Sequence, residues 1–192
     1  YTREFVGCEQ KAAGERNRHH RAPPDPTVSG STLRRAGNLL VTVAFLPGIL
    51  SHEYAHVLAC RACGVEVFAR PSLNPFADSA YVDHAAVDRF GPEFAIGVAP
   101  VVVNATLGAL AFALAGVLPL PGALAAGWLG ATLAVTAFPS AADTKGLVPA
   151  ARRLPGRVRP FGLLLAVPVR GFTRVPGADG VAGFLLLVVL AR

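Results

Sequence analysis

The sequence feature that most constrains the fold of this chain is an apolar run of about 22 residues, from Asn38 to Ala59. A helix of that length is long enough to cross a lipid bilayer. The only acidic or basic side chains in the run are His52, Glu53 and His56. Because charged groups at membrane depth are costly, these side chains predict a functional site within the run.

These side chains form an H-E-x-x-H motif, with Tyr54 and Ala55 between Glu53 and the second histidine. On a helix, the spacing i, i+4 puts both imidazoles on one face, where they can hold one zinc ion. Glu53 then lies beside the ion, where it can take a proton from water as the general base of a metalloprotease. The cost of burying ionisable groups without a role favours metal binding over a chance match.

The composition also indicates a membrane protein. Of the 192 residues, 53% are hydrophobic, and they are gathered into long runs. The formal net charge is +6, but the basic residues flank the apolar runs, as in loops that meet anionic lipid headgroups. We therefore expect a lipid bilayer and no nucleic acid as partner. Three cysteines are too few for a disulfide framework.

The sequence divides into two regions, residues 1–36 and 37–192. The first carries seven Lys or Arg residues and a proline-rich stretch at 22–26, so we predict a flexible basic N-terminal tail. His19 and His20 in this tail are interpreted as solvated side chains rather than metal ligands. The second region is predicted to be the domain that carries the H-E-x-x-H site.

Three membrane spans are predicted, at about Asn38–Ala59, Phe94–Leu118 and Ala123–Ser140. The second and third should form a hairpin joined by a tight turn at Leu120-Pro121-Gly122. Two apolar C-terminal pieces, at 160–169 and 181–191, are each too short to cross a bilayer upright. We expect them to form a fourth or re-entrant element.

Two β-type runs, at 64–68 and 80–84, surround a turn-rich stretch at 71–78 and predict a short β-hairpin. The predicted fold class is thus an all-α membrane protein. It is a multi-span helical bundle of three core transmembrane helices and a C-terminal fourth or re-entrant element, with a short β-hairpin between spans 1 and 2.

Two histidines do not complete a catalytic zinc site, which typically has three protein ligands. Asp143 is the predicted third ligand, because spans 2 and 3 run out and back and so return it to the membrane face where the motif ends. Glu66 and Glu93 are alternative carboxylates. A helix that continues past Ala59 would bring Cys60 and Cys63 to the motif face, so a thiolate ligand also remains open.

Asn104 is an uncharged polar residue in the otherwise apolar second span. Two roles are open for its amide. It could bind a substrate carbonyl or stabilise an oxyanion, or it could bond a neighbouring helix.

An ordered set of motifs resembles the site-2 protease class of intramembrane zinc metalloproteases, especially its small prokaryotic members. The motifs are the H-E-x-x-H, Gly64-Val65-x-Val67, Tyr81-Val82-x-His84, Pro100-x-x-x-Asn104 and Pro139-Ser140-x-x-Asp143, and the likeness covers roughly residues 38 to 147. It implies a zinc-dependent endopeptidase that hydrolyses membrane-protein or peptide substrates within or near the bilayer. It also implies an aspartate as third zinc ligand, although the family usually has Leu-Asp-Gly where this chain has Ala-Asp-Thr.

Two functions of other classes remain open. One is a catalytically inactive metal-binding membrane regulator or scaffold; the other is a metal transporter, which would need ligands distributed through the bilayer rather than gathered at one end. The expected location is the cell membrane, with several spans. Basic residues close to the span ends predict that the catalytic face is cytoplasmic.

Overall fold

The computed structural model describes residues 28–69 and 82–192, with the backbone alone for residues 28–36, 38 and 69. The described part is mostly helical. Its helices are α1 (Val28–Ala62), α2 (Phe90–Ala115), α3 (Leu120–Val135), α4 (Leu147–Arg152), α5 (Arg159–Thr173) and α6 (Ala178–Leu190). Two short strands, β1 (Val67–Ala69) and β2 (Asp83–His84), lie between α1 and α2. Residues 1–27 of the predicted tail lie outside the described residues, and residues 28–36 belong to α1.

The helices lie at the predicted spans, but α1 begins at Val28 rather than at Asn38, and α3 differs from the prediction in two ways. Leu120-Pro121-Gly122 is not a turn but the first turn of α3, because a proline near a helix start has no intrahelical N–H bond to lose. The helix also ends at Val135 rather than near Ser140. Pro139 follows shortly after, and proline cannot continue a helix.

The predicted β-hairpin is present in small form. Strands β1 and β2 pair antiparallel, with Val67 opposite His84 and Ala69 opposite Asp83. The register between the two pairs is irregular. The turn-rich connection predicted at 71–78 lies outside the described residues.

Helix α2 buries a narrow face of mostly small or polar residues that recur at helical spacing: Glu93, Ile96, Gly97, Pro100, Asn104, Gly108 and Ala111. Apart from Ile96, its large apolar side chains are mostly outside this face, and Val102 and Leu110 are 63% and 61% exposed. Small residues let two helix backbones approach closely. Helix α3 therefore packs against this face, where Gly108 lies near the backbone of Gly130.

The C-terminal helices pack on the α2–α3 hairpin in two groups. Helix α4 packs on α5 around a small core of Leu147, Ala151 and Ala166. Helix α6 crosses the end of α3, where Gly183 lies against the backbone of Val135. Helices α5 and α6 are bent by 97° relative to each other at a short break, which agrees with two short apolar pieces rather than one straight span.

Within the described residues, α2 is the one helix that is by itself long and apolar enough to cross a membrane. The bent pair α5 and α6 passes the same criterion when taken as one broken span. Helix α3 is apolar but shorter, at 16 residues. In the most apolar part of α2 only 22% of the residues are buried, so most of its surface faces outwards.

Candidate metal centre

The two histidines of the H-E-x-x-H motif lie one helical turn apart on α1, as their spacing predicts. Their Nε2 atoms are 3.3 Å apart, and the ring centroids are 5.0 Å apart in an edge-to-face arrangement. Both lone pairs are therefore able to reach a single point between the rings.

Each imidazole is oriented by a backbone carbonyl from another helix or its end. The Nδ1 of His52 lies 2.7 Å from the carbonyl oxygen of Thr136, and the Nδ1 of His56 lies 2.9 Å from that of Ile96. Because a carbonyl oxygen can only accept, each Nδ1 must carry the hydrogen and donate it. In the neutral ring this leaves Nε2 as the unprotonated nitrogen, which is the form that ligates a metal.

Asp143 completes a triangle with the two histidines. Its Oδ2 is 3.5 Å from Nε2 of His52 and its Oδ1 is 3.6 Å from Nε2 of His56. In a tetrahedral zinc site with metal–ligand distances of about 2.0–2.1 Å, neighbouring ligand atoms lie about 3.3–3.4 Å apart. The three edges of the triangle are close to this size, so His52, His56 and Asp143 form a group that could hold a metal ion.

The triangle is shielded from solvent. The side chains of His52, His56 and Asp143 are 12%, 6% and 16% exposed. An anion and two imidazoles in such a place need a compensating partner, because burial of an unpaired charge is costly. A divalent cation at this point would supply that compensation, and two imidazoles with a carboxylate are ligands that suit zinc.

The loop after α3 fixes the carboxylate of Asp143. The backbone N–H of Ser140 donates to Oδ2 of Asp143 at 2.6 Å, and Oγ of Ser140 accepts from the N–H groups of Ala142 and Asp143. Burial alone would raise the pKa of Asp143, but the nearby imidazoles of His52 and His56 and the N–H group of Ser140 outweigh burial, so its pKa lies well below the usual range. Asp143 is therefore an anion, as a metal ligand must be.

Residues of helix α5 form hydrogen bonds with the loop that carries Asp143. The hydroxyl groups of Thr144 and Thr173 are hydrogen-bonded at 2.6 Å, and both residues are buried. The guanidinium of Arg170 donates to Oγ1 of Thr144 at 3.2 Å and to the carbonyl oxygen of Ala141. The C-terminal part of the chain thus stabilises the position of Asp143.

Glu53 lies in the wall of a cavity of about 520 Å³ next to the triangle. It is 9% exposed, and its Oε2 accepts a hydrogen bond from the backbone N–H of Val82 at 3.1 Å. The cavity is also lined by His56 and Asp143, and it extends to the ion pair of Asp88 and Arg153. These two side chains are 79% and 60% exposed, so the cavity leads from the buried carboxylates to solvent.

Asn104 is fully buried and does not line this cavity. Its amide donates to the carbonyl oxygen of Gly48 at 3.1 Å and to both the carbonyl oxygen and Oγ1 of Thr136, at 3.3 and 3.1 Å. Its Oδ1 accepts from Oγ of Ser51 at 2.6 Å. These contacts connect α2 to α1 and to the end of α3. Of the two roles considered for Asn104 in the sequence analysis, they correspond to hydrogen bonding between neighbouring helices.

The alternative ligands lie elsewhere among the described residues. Glu66 is exposed beside β1, and Glu93 lines the cavity but is not part of the triangle. Cys60 is buried, and neither it nor Cys63 joins the histidines in a metal group. His19 and His20 lie outside the described residues.

Sequence reasoning missed the groups that orient the ligands. The acceptors for the histidines, at Thr136 and Ile96, are backbone carbonyls, and the donor to Glu53 is a backbone N–H. Such groups carry no residue-type signal. Ser140 did carry one, because a serine hydroxyl often bonds the backbone N–H group two residues further on in a turn, as Ser140 does with Ala142.

Comparison with known protein families, characterised proteins and solved structures finds no match for this chain.

Proposed function

We propose that this chain is an intramembrane zinc-dependent endopeptidase that hydrolyses peptide bonds of membrane-protein substrates within or near the bilayer. The proposal rests above all on the triangle of His52, His56 and Asp143, whose edges of 3.3–3.6 Å match those of a tetrahedral zinc site. Three protein ligands leave the fourth position of a tetrahedron open for water or substrate, which is typical of catalytic rather than structural zinc.

The zinc ion, when bound, supplies a Lewis acid that polarises a carbonyl and acidifies water. Glu53 is adjacent to His52 in sequence and lines the same cavity as Asp143. Its carboxylate is the group placed to accept the proton of the attacking water and to return it to the leaving amine. The Nδ1 donations to Thr136 and Ile96 keep both Nε2 atoms available as ligands.

The cavity offers a path for the water that hydrolysis needs. It runs from Glu53 and Asp143 to the exposed pair of Asp88 and Arg153. Its volume of about 520 Å³ is in the range of small-molecule sites, so it can hold a short unwound peptide segment together with water. A substrate helix has to unwind locally before its backbone reaches the ligands.

The exposed apolar surface supports a position in the membrane. Large side chains that face outwards occur on α1, α2, α3, α5 and α6, with Leu40 at 72%, Leu110 at 61% and Val189 at 64% exposed. In water, apolar patches of this extent are rare on a monomer. We infer that α1, α2 and α3 cross the bilayer and that the bent pair α5 and α6 forms the fourth or re-entrant element. We also infer that the catalytic face is cytoplasmic, which tagging of the tail in intact cells would test.

Cleavage of single-span membrane proteins by the purified full chain in lipid vesicles tests the enzymatic proposal. Glu53→Gln should lower the cleavage rate by about 100- to 10,000-fold, the usual contribution of a general base, and should leave zinc bound. Glu66→Gln is the matched control, because Glu66 is exposed and outside the cavity. Cleavage that survives in Glu53→Gln contradicts the proposed role, and a zinc-loaded chain that cleaves no substrate supports the inactive regulator instead.

A further inference from the structure

A second cavity, of about 400 Å³, lies between α4 and α5 and includes Lys145, two residues after Asp143. Four of the residues that line it are basic: Lys145, Arg152, Arg170 and Arg174. No acidic residue lines it, and no carboxylate of the described residues lies within 4.0 Å of these four side chains. We name this cavity the basic groove.

Four like charges around one cavity repel one another and attract an anion. Arginine presents its N–H groups as a planar fork that fits the oxygens of a phosphate. Arg170 uses one nitrogen to hold the Asp143 loop, and the remaining donors of its guanidinium are available. The groove therefore suits a phosphate group.

The helix that forms one wall of the groove indicates where the phosphate comes from. Along α5 the large apolar side chains Phe161, Leu164 and Val167 are 68%, 70% and 52% exposed, whereas Gly162 and Ala166 are buried. Basic residues lie at both ends of the helix, with Arg159 at the start and Arg170 near the end. An amphipathic helix of this kind lies in the plane of a membrane interface.

Val167 belongs both to the exposed apolar face of α5 and to the lining of the basic groove. A ligand that fills both environments needs a phosphate and a hydrocarbon chain. We propose that the basic groove binds the phosphate headgroup of an anionic phospholipid, with its acyl chains along the apolar face of α5. The proposal depends on the membrane location inferred above and not on proteolysis.

The proposed lipid site is tested by measuring how tightly the full chain in detergent binds fluorescent phosphatidylglycerol and fluorescent phosphatidylcholine. The Glu53→Gln background is used throughout, so that the result does not depend on cleavage. The chain without substitutions in the basic groove should bind phosphatidylglycerol more tightly than phosphatidylcholine. Each basic residue near a lipid surface contributes about a fivefold change in affinity, so Arg152→Gln with Arg174→Gln should weaken phosphatidylglycerol binding by about 25-fold.

The matched control is Arg157→Gln with Arg159→Gln, which removes the same charge from the other end of α5 and outside the groove. Zinc content and helical circular dichroism serve as folding controls for both double variants. Equal weakening in the two double variants overturns the proposal, because it would reflect general surface charge. So does an equal affinity of the two lipids.

A competition experiment on the chain with an intact basic groove distinguishes a lipid site from a site for a free anion. It does not depend on the folding of any groove variant. A short-chain phosphatidylglycerol should displace the fluorescent lipid far more effectively than inorganic phosphate at the same concentration. Equal displacement by inorganic phosphate would show a site for the free anion and would overturn the lipid assignment.

Discussion

His52 and Asn104 donate hydrogen bonds to the same oxygen atom, the backbone carbonyl of Thr136. The distances are 2.7 Å from Nδ1 of His52 and 3.3 Å from Nδ2 of Asn104. Asn104 is also bonded to Gly48, one turn before His52 on α1. The amide therefore connects the helix that carries the histidines to the carbonyl that orients one of them.

Replacement of Asn104 by alanine should weaken zinc binding without removing a ligand. Loss of a group that orients a ligand typically costs 10- to 100-fold in metal affinity, so about tenfold or more is expected in a zinc titration of the purified chain. Trp128→Phe is the matched control, because it removes a different hydrogen bond to α1, from Nε1 of Trp128 to Ala44, and leaves Thr136 untouched. Equal zinc affinities in the two variants would contradict the role of Asn104.

Replacement of Asp143 by asparagine keeps the shape of the side chain and removes its charge. Zinc affinity should fall by more than about 100-fold, since even changes behind the ligands cost up to that amount. Glu93→Gln is the control, because Glu93 is a buried acid that lines the same cavity but lies outside the triangle. A zinc titration in which Glu93→Gln weakens binding more than Asp143→Asn would assign the third ligand to Glu93.

The hydroxyl group of Ser140 should matter to the site through the turn that it holds. Ser140→Ala removes the acceptor for the N–H groups of Ala142 and Asp143, and we expect zinc affinity to fall by about tenfold. Ser140→Thr keeps a hydroxyl group at the same position and should restore most of the affinity. If threonine and alanine weaken binding equally, the hydroxyl does not position Asp143.

Two glycine-to-alanine changes should have opposite effects on stability. A Cβ at Gly48 would overlap the backbone of Thr132 on α3, so Gly48→Ala should lower the free energy of unfolding by about 1–3 kcal/mol. A Cβ at Gly127 meets nothing within 4 Å, so Gly127→Ala should raise the free energy of unfolding by up to about 1 kcal/mol through helix propensity. Denaturant unfolding in detergent measures both. Equal stability of the two variants would contradict the close approach of α1 and α3.

The sequence predicts the site where chemistry depends on residue type and simple geometry. The i, i+4 spacing places His52 and His56 together on α1, and the out-and-back path of α2 and α3 returns Asp143 to them. The β-hairpin follows from its β-type runs, and its strands pair between α1 and α2. In each case the pattern and the packing point to the same arrangement.

The sequence does not predict contacts made by the backbone or the exact bounds of helices. Any residue could supply the carbonyl oxygens of Thr136 and Ile96, so no pattern identifies them. Pro121 and Gly122 are residue types that often form turns. Proline is also common in the first turn of a helix, which is where Pro121 lies. The break between α5 and α6 lies at Pro176-Gly177, where Gly177 has a positive φ of 78°, but no local pattern gives the angle of 97° between the two helices.

Zinc X-ray absorption on the purified full chain tests the central claim most directly. We predict one zinc ion per chain, bound by two imidazole nitrogens and by oxygen atoms at about 2.0–2.2 Å. Asp143→Asn should change the spectrum. A chain that binds no zinc would contradict the claim. So would a sulfur neighbour at about 2.3 Å, which would move the ligand from Asp143 to a cysteine.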